Sequence, residues 1–348
     1  MIDFRTEKKL ARLHDPRKDF ALTEIESEVR YDPLTGESAR ICHFSLKAPP
    51  PTELESIVEI SRGHCPFCPE RVETVTPRFP EDLVPGGRLR RGDALVTPNL
   101  FPYDDVSAIA VLGGSHFVPM DAVPPQLVID GLTAARDFMR LAQHQVSGGE
   151  GFGIVTWNYM PPAGATQVHP HMQVIVSRNP GNALRRSLAS AASWRERTGR
   201  CYHAALVDTE RGLGERWVGE AGTVAWLAPF TPTGLLGDLA AVFRERATVL
   251  DLSDADIADF AHSLVRILGA LASRGLWSFN LCLMPAPFGA PPDRHWLTAK
   301  LLPRIYLNPT LHVSDVAYLH LLLEERFAML YPEEVAAALR PAFAGMRA

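Results

Sequence analysis

The chain has 348 residues, of which 46% are hydrophobic and 22% charged, and its formal net charge is -5. This length allows one large or two medium domains, and the slight negative charge provides no global basic field for a nucleic-acid partner. No stretch comes near the about 18–20 apolar residues of a membrane span, and the charged N-terminus has no signal-peptide core. Because the five cysteines suit a reducing compartment, we expect a cytoplasmic protein with no membrane partner.

The N-terminal half is expected to combine strands with one long helix. Residues up to about Leu22 are expected to be helical or loosely attached. Residues 25–44 predict a β-hairpin, because two alternating runs flank the turn Asp-Pro-Leu-Thr-Gly. Helical spacing predicts an amphipathic helix from Pro124 to Gln145. Strands are predicted in ALVTPNLFPY, SAIAVLGGSH, GFGIVTWNYM and TQVHPHMQVIVS, and the glycine cluster SGGEGFG, which follows a helix and precedes a strand, is expected to form a turn.

The C-terminal half is also expected to combine strands with helices. Strands are predicted in CYHAALVDTE, TVAWLAPF and SFNLCLMPAP, and helices in LLGDLAAVFRERATVL and DADIADFAHSLVRILGALASRG. The tail, residues 314–343, is expected to be helical, with a second helix that starts at Pro332. The hairpins imply antiparallel pairing, so the predicted class is α+β rather than a doubly wound α/β fold. No linker separates two independent domains.

A Cys-x-x-Cys pair, Cys65 and Cys68, lies in a proline-flanked loop. Two thiolates at this spacing are half of a tetrahedral zinc site. A redox pair would be expected at a helix N-terminus after a strand, which Pro69 and the polar context do not favour. A thiol pair without a metal is the remaining alternative. Candidates for the other two ligands are His43, His64, His116 and His169.

Two histidines and a glutamine recur at two-residue spacing in TQVHPHMQVIVS. Alternate side chains of a strand point to opposite faces, so His169, His171 and Gln173 share one face and the apolar residues between them share the other. If His169 and His171 both bound one metal ion, neither would be available as a nucleophile. We therefore expect His169 to fix the strand through a metal, while His171 is free to attack phosphorus and form a phosphoramidate.

Taken together, these motifs resemble the galactose-1-phosphate uridylyltransferase family, the nucleotidyltransferase branch of the histidine-triad superfamily. The hairpin VRYDPLTGE, the Cys-x-x-Cys pair, a later histidine after a strand, and His-Pro-His-x-Gln follow in that family's order. WNYMPPAGATQVHPH keeps its spacing, and TVAWLAPF and MPAPFGAPPDRHW are similar to its C-terminal landmarks. The resemblance implies a histidine-triad-like α+β fold with two pseudo-duplicated halves, each an antiparallel sheet flanked by helices. Residues 1–190 would carry the hairpin, the zinc site and the active strand, and residues 191–348 the second half.

The resemblance also implies roles for individual residues around the active strand. It implies a structural zinc ion bound by Cys65, Cys68, His116 and His169. His171 would be the nucleophile that takes up the nucleoside monophosphate, and Gln173 would hydrogen-bond the α-phosphate.

The substrate-binding residues implied by the resemblance lie in two other segments. Asn158 and Thr166 would help to hold the diphosphate. Asn99 and Phe101 would bind the nucleoside, although Asn99 could equally be a turn residue before a proline-bounded loop. The family also implies a homodimer.

Several positions depart from the family pattern. The family's second metal site uses a glutamate and three histidines, where this chain has Ser187, Met284, Thr298 and Lys300, so we expect that site to be absent. The family's arginine pair is replaced by Ser45 and Ala48, which leaves Lys47 for phosphate charge. Glu325 stands where a glutamine is expected. These changes preserve the histidine chemistry but put galactose as substrate in doubt.

The function that follows is a ping-pong nucleotidyltransferase. His171 would take a nucleoside monophosphate from a nucleoside diphosphate sugar or related nucleotide and pass it to a phosphate-bearing acceptor. A phosphorylase or hydrolase of nucleotide sugars or dinucleoside polyphosphates would use inorganic phosphate or water instead. A zinc-stabilised nucleotide-binding protein without turnover is the alternative from another class.

Overall fold

A ten-stranded sheet is the central element of the fold. The structure is a computed structural model that describes residues 2–42, 54–146 and 151–346. Its strands are β1 (Thr6–Asp15), β2 (Ala21–Tyr31), β3 (Ser38–Ile41), β4 (Leu89–Arg91), β5 (Ala94–Pro98), β6 (Val106–Leu112), β7 (Phe152–Tyr159), β8 (His171–Ser177), β9 (Trp217–Ala221), β10 (Val224–Leu227), β11 (Leu239–Phe243), β12 (Phe279–Met284), β13 (Thr298–Pro303), β14 (Tyr306–Asn308), β15 (Val313–Ser314) and β16 (Arg326–Ala328). Its α-helices are α1 (Leu54–Arg62), α2 (Pro69–Val75), α3 (Pro125–Ala142), α4 (Asn182–Thr198), α5 (Tyr202–Leu213), α6 (Asp254–Ala272), α7 (Tyr318–Leu322) and α8 (Pro332–Leu339).

The large sheet consists of two halves with the same internal order. From edge to edge the strands run β4-β5-β6-β8-β7-β12-β13-β11-β10-β9, and all neighbours are antiparallel. In each half, three strands lead into a long helix, α3 or α6, and two strands follow. Strand β13 therefore takes the place in the C-terminal half that β8 takes in the N-terminal half. The predicted α+β class with two similar halves is confirmed.

Alternation along β8 separates the face of the sheet that packs on the main core from the opposite face, here called the open face, part of which is covered by α2 and Phe67. The side chains buried in the main core with α3 are Met172, Val174 and Val176. His171 and Gln173 have the opposite parity and lie on the open face. Helix α3 approaches the sheet closely at Gly131, where an added Cβ would lie 2.3 Å from Leu112 Cδ2. This packing makes β8 a rigid base for the side chains on the open face.

The predicted N-terminal hairpin is confirmed over the described residues. Strands β2 and β3 pair antiparallel, and Asp32 closes the turn between them by accepting hydrogen bonds from the backbone N–H groups of Leu34 and Thr35 at 3.0 and 2.9 Å. On its other side, β3 pairs in parallel with β16. The hairpin therefore connects the beginning of the chain to its C-terminal segment.

The expectation of a helical or loose N-terminus is wrong. Residues 6–15 form β1, which pairs with β2 from Thr6↔Arg30 to Asp15↔Ala21. The intervening turn is closed by Asp15, whose side chain accepts the Arg17 N–H at 2.9 Å. This strand has no regular apolar pattern because most of both its faces are exposed. Its partner strand, rather than its own periodicity, determines its conformation.

Three predictions in the C-terminal half are also wrong. Residues 201–210 are helical and belong to α5, whose buried positions include Tyr202, Val207 and Glu210. Residues 235–250 contain β11 instead of a helix, because the chain turns at Gly237 (φ 76°) and then pairs with β10 and β13. The tail contains α7 and β16 as well as the predicted helix from Pro332. In each case pairing or burial against distant segments overrides the local pattern.

Some of the predicted positions lie outside the described residues. They are His43, Ser45, Lys47, Ala48 and residues 147–150 of the glycine-rich turn. Among the helices that are described, none combines the length and the apolarity needed to cross a membrane.

Candidate metal centre and active site

Four buried side chains converge at one end of β8. The ligand atoms of Cys65, Cys68, His116 and His169 all lie within 4.8 Å of one another. Of the other histidines considered as ligands, His64 is exposed and outside the cluster. The structure thus brings together the four residues that the resemblance assigned to zinc.

Three separate segments position these ligands. The two cysteines lie between α1 and α2, His116 lies in the loop after β6, and His169 lies two residues before the start of β8. Cys68 is the N-cap of α2, and the helix starts at Pro69. The thiol pair does therefore stand at a helix N-terminus, contrary to expectation, although α1 rather than a strand precedes it. The two nearby imidazoles are the feature that favours a metal over a redox pair.

Both imidazoles turn the same nitrogen toward the thiols. Nδ1 of His116 lies 3.4 Å from Cys68 Sγ, and Nδ1 of His169 lies 3.8 Å from it. On the far side, His116 Nε2 is 3.2 Å from the Val58 carbonyl oxygen, and His169 Nε2 is 2.9 Å from that of Gly113. With Nε2–H donating to these carbonyls, each Nδ1 keeps a lone pair directed at the cluster. This is the usual outer hydrogen bond of a metal-ligating histidine.

The electrostatics of the cluster also fit a cation. Burial, together with the neighbouring thiol of Cys65, raises the pKa of Cys68 to about 11, and burial lowers the pKa of His169 to about 4. A pair of buried thiols needs a positive charge to ionise, and neutral imidazoles are ready to coordinate. Two sulfur and two nitrogen donors within reach of one point are a tetrahedral zinc set. The residues present therefore fit a zinc ion.

His171 begins strand β8, and its side chain is only 8% exposed. Its Nδ1–H donates to the carbonyl oxygen of His169 at 2.8 Å, which leaves the lone pair on Nε2. The ring of Phe67, from the Cys-x-x-Cys loop, lies 5.1 Å from the His171 ring and 6.1 Å from the His169 ring, centre to centre. The metal-binding loop therefore also packs on the candidate nucleophile, a contact that the sequence did not reveal.

Gln173 is held by a residue that the sequence analysis did not select. The hydroxyl of Tyr103, in the loop between β5 and β6, donates to Gln173 Oε1. The same loop carries Asn99, whose side-chain oxygen accepts the Phe101 N–H at 3.1 Å, and the Phe101 ring is 79% exposed. The loop predicted to bind the nucleoside thus reaches the active strand through Tyr103. Asn99 serves as a turn residue in this geometry.

Asn158 on β7 belongs to a polar network that extends into the C-terminal half. Its side-chain oxygen accepts a hydrogen bond from Asn280 Nδ2 at 2.7 Å. Asn280 in turn accepts from Arg304 at 2.5 Å, and Arg304 forms a bidentate salt bridge to Asp315. These three partners were missed because they lie far along the chain and meet Asn158 only through the pairing of β7 with β12.

The loop from β7 to β8 contains a strained backbone position. Met160 has φ 69° and ψ 160°, a region that residues other than glycine rarely occupy. Its buried side chain and a hydrogen bond from Asn280 to the Ala163 carbonyl oxygen (2.8 Å) hold the loop in place. Thr166 lies exposed farther along the same loop. Thr166 therefore lies in the loop that leads to the active strand and is not part of the buried cluster.

The fold defined by this sheet and cluster is of the histidine-triad type. The chain shares it with the galactose-1-phosphate uridylyltransferase-like proteins, which confirms the resemblance seen in the sequence at the level of the fold.

Comparisons with known proteins support this assignment. An ADP-glucose phosphorylase from Arabidopsis thaliana is 17% identical, with a TM-score of 0.69 over 90% of this chain and 98% of the other. A uridylyltransferase is 23% identical, with a TM-score of 0.66 over 91% and 98%. An uncharacterised protein of Archaeoglobus fulgidus is 29% identical over 342 residues, 97% of this chain and 98% of the relative. No protein-family model matches the chain.

Replacing a cluster ligand should remove the metal and destabilise the fold. We expect Cys65→Ser or His169→Asn to lose bound zinc and to melt at least roughly 10 °C lower, because metal-binding energy contributes directly to folding. Elemental analysis and thermal melting measure both effects. As a matched control, Cys201→Ser changes a buried thiol outside the cluster and should keep the zinc. Unchanged metal content and melting of the ligand variants would rule out the zinc assignment.

Breaking the polar network should cost stability without affecting the metal. Asn280→Leu removes the partner of both Asn158 and Arg304. We therefore expect the free energy of unfolding, measured by urea denaturation, to fall by about 1–3 kcal/mol while zinc is retained. Asn182→Leu, at an exposed position on α4, should change the free energy of unfolding by less than about 0.5 kcal/mol. Equal effects of the two substitutions would show that the network contributes nothing specific.

Proposed function

We propose that the chain is a nucleotidyltransferase that carries a nucleoside monophosphate on Nε2 of His171. The observation that supports this most directly is the hydrogen bond from His171 Nδ1–H to the His169 carbonyl oxygen, 2.8 Å long. It fixes the ring and its tautomer, so that Nε2 carries the lone pair. The same bond stabilises the positive charge that develops on the ring when Nε2 bonds to phosphorus.

The first displacement uses His171 against the α-phosphorus of the donor. The Nε2 lone pair forms a P–N bond while the bond between the α-phosphorus and the bridging oxygen breaks, so that a phosphorylated group such as a sugar phosphate leaves. In the second displacement, a phosphate oxygen of the acceptor forms a new P–O bond, and the P–N bond returns its electrons to Nε2. No net proton or electron is left on the protein.

The open face of the sheet supplies groups for the donor phosphates. Gln173 is two residues along β8 from His171, so their Cα atoms are roughly 7 Å apart, and its amide N–H can donate to an α-phosphate oxygen. The Tyr103 hydroxyl donates to Gln173 Oε1 and so holds the carbonyl side of the amide, while the NH₂ group is the part that would donate to phosphate. Phosphoryl transfer needs mainly such positioning and charge stabilisation.

The role that we propose for zinc is structural. Two cysteines and two histidines complete a tetrahedral shell and leave no position for substrate. Bound zinc would fix His169, and through the His169 carbonyl oxygen it would orient His171. Nucleotidyl transfer itself is then carried out by this chain's own side chains.

The acceptor belongs to the phosphate class in this proposal. A sugar phosphate would make the chain a transferase in the strict sense, whereas inorganic phosphate would make it a phosphorylase. Both chemistries occur on this fold, since the structural neighbours are a uridylyltransferase and an ADP-glucose phosphorylase crystallised with ADP-glucose. A homodimer and a cytoplasmic location remain predictions.

Intact-protein mass spectrometry tests the covalent step. The zinc-loaded chain is incubated briefly with UDP-, ADP-, GDP- and CDP-sugars and with dinucleoside polyphosphates. We expect a mass gain of one nucleoside monophosphate with at least one donor, and the size of the gain identifies the base. The adduct should be labile in acid, as phosphoramidates are.

Two variants serve as the test and the control of this experiment. His171→Asn should keep its zinc and its fold but show no adduct, because the amide has no nucleophilic lone pair. His262→Asn, at an exposed position of α6, should form the adduct like the unmodified chain. An adduct that persists in His171→Asn would exclude His171 as the nucleophile. If no donor yields either an adduct or a released sugar phosphate, the transferase proposal is overturned, and equilibrium binding of the same panel then tests a non-catalytic nucleotide-binding role.

A further inference from the structure

A cavity lies on the open face of the C-terminal half, away from His171. It has a volume of about 120 Å³ and lies between strands β10–β13, helices α4 and α5, and the turn after β2. Strands β7 and β12 separate β13 from β8, which puts β13 roughly 14 Å, or three strand spacings, from the active strand. A molecule bound there would not touch the reacting histidine.

The four positions at which the resemblance implied a second metal site all line this cavity. They are Ser187, Met284, Thr298 and Lys300. Two hydroxyls, a thioether and an ammonium group do not fit a divalent metal, because the ammonium charge repels the ion and no carboxylate or imidazole is among them. At the position where a metal would bring positive charge, this chain has the lysine side chain itself.

Lys300 has no direct ion-pair partner among the described residues, although the carboxylates of Asp238 and Asp32 both attract its charge. It lies in the middle of β13, opposite Cys282 on β12 and Ala240 on β11. Burial, and then the charge of Arg326, lower its pKa despite the nearby carboxylate of Asp238. Among the residues that the structure describes, Lys300 forms no salt bridge. An anion beside its ammonium group would supply the direct ion pair that neither of these carboxylates makes.

The other charged groups in the cavity wall already form salt bridges, among them Glu210, which pairs at 2.9 Å with Arg216 outside the cavity. Arg326 forms salt bridges to Glu37 and, at 3.5 Å, to Asp32. Glu37 also pairs with Arg186. These ion pairs leave Lys300 as the unpaired charge of the cavity.

The rest of the cavity wall indicates the kind of molecule that would fit. The Thr231 hydroxyl is buried and lacks a hydrogen-bond partner among the described residues, so it offers a second polar contact. Leu206, Phe230 and Val242 provide apolar surface. The volume is somewhat below that of a cavity of about 150 Å³ that binds benzene, so a ligand with a ring would extend past the exposed rim at Ala183. A compact apolar body with one anionic group matches these properties.

We propose that this cavity is a second binding site, which takes a small organic anion (a carboxylate or phosphate monoester on a compact apolar body) through Lys300, with Thr231 as a further hydrogen-bonding group. In this arrangement β13 presents a binding lysine on the open face, as β8 presents its histidine in the other half. The site is independent of the chemistry proposed for His171.

Isothermal titration calorimetry on the full, zinc-loaded chain tests this site. The probes are benzoate, phenyl phosphate and inorganic phosphate. We expect benzoate or phenyl phosphate to bind more tightly than inorganic phosphate, because only the first two also fill the apolar part of the cavity. Lys300→Met, which keeps the length of the side chain but removes its charge, should weaken binding by roughly tenfold or more.

Three further variants separate this cavity from other sites. Ala183→Trp, at an exposed position of the cavity rim, should block binding without altering any charge, and it carries the test if Lys300→Met does not fold. His171→Asn should bind the probes unchanged, as should Lys8→Met, which removes an exposed lysine of β1.

Several results would overturn the proposal. They are absence of binding to the unmodified chain at millimolar probe concentrations, binding that persists in Lys300→Met or Ala183→Trp, and binding that is lost in His171→Asn. The last result would place the probe in the histidine site instead.

Discussion

The two polar ends of His169 connect the metal cluster to the candidate nucleophile. Its imidazole faces the thiol of Cys68, with Nδ1 3.8 Å from Sγ. Its backbone carbonyl oxygen accepts the Nδ1–H of His171 at 2.8 Å. A metal ion that fixes His169 therefore also fixes the ring and the tautomer of His171, two residues away. The intervening Pro170 restricts the backbone between them, so that little freedom remains in this short connection.

The pairing of the two cysteine ligands and the shared face of His171 and Gln173 could be predicted from the sequence, because each depends only on residues close together in the chain. Cys65 and Cys68 are separated by two residues in one loop, and the alternation of a strand alone places His171 and Gln173 on the same face. The α+β class also followed from local hairpin patterns and is confirmed. The proposed roles of these residues still rest on the resemblance and on geometry.

The remaining features depend on contacts between segments far apart in the chain. Asn280 and Arg304 reach Asn158 only because β12 pairs with β7, and no pattern within either segment indicates that pairing. Tyr103 lies two residues beyond Phe101, outside the pair assigned to the nucleoside, and its hydrogen bond to Gln173 requires the fold of the loop. The same reason explains β1 and β11, whose strand conformation comes from their partners rather than from alternation in their own sequence.

The two halves of the sheet share their strand order but differ in the chemistry of equivalent strands. On β8 the open face carries His171 and Gln173 beside a buried cluster of cysteines and histidines. On β13 it carries Thr298 and Lys300 beside a cavity whose wall combines apolar side chains with ion pairs. Positive charge is thus available near both strands: zinc, where bound, would supply it on the N-terminal side, and a lysine supplies it on the other. A lysine needs no metal ligands, so the side chains around it can leave a cavity. In our proposal this cavity binds a small anion at the position where the ligands of a metal ion would otherwise fill the space.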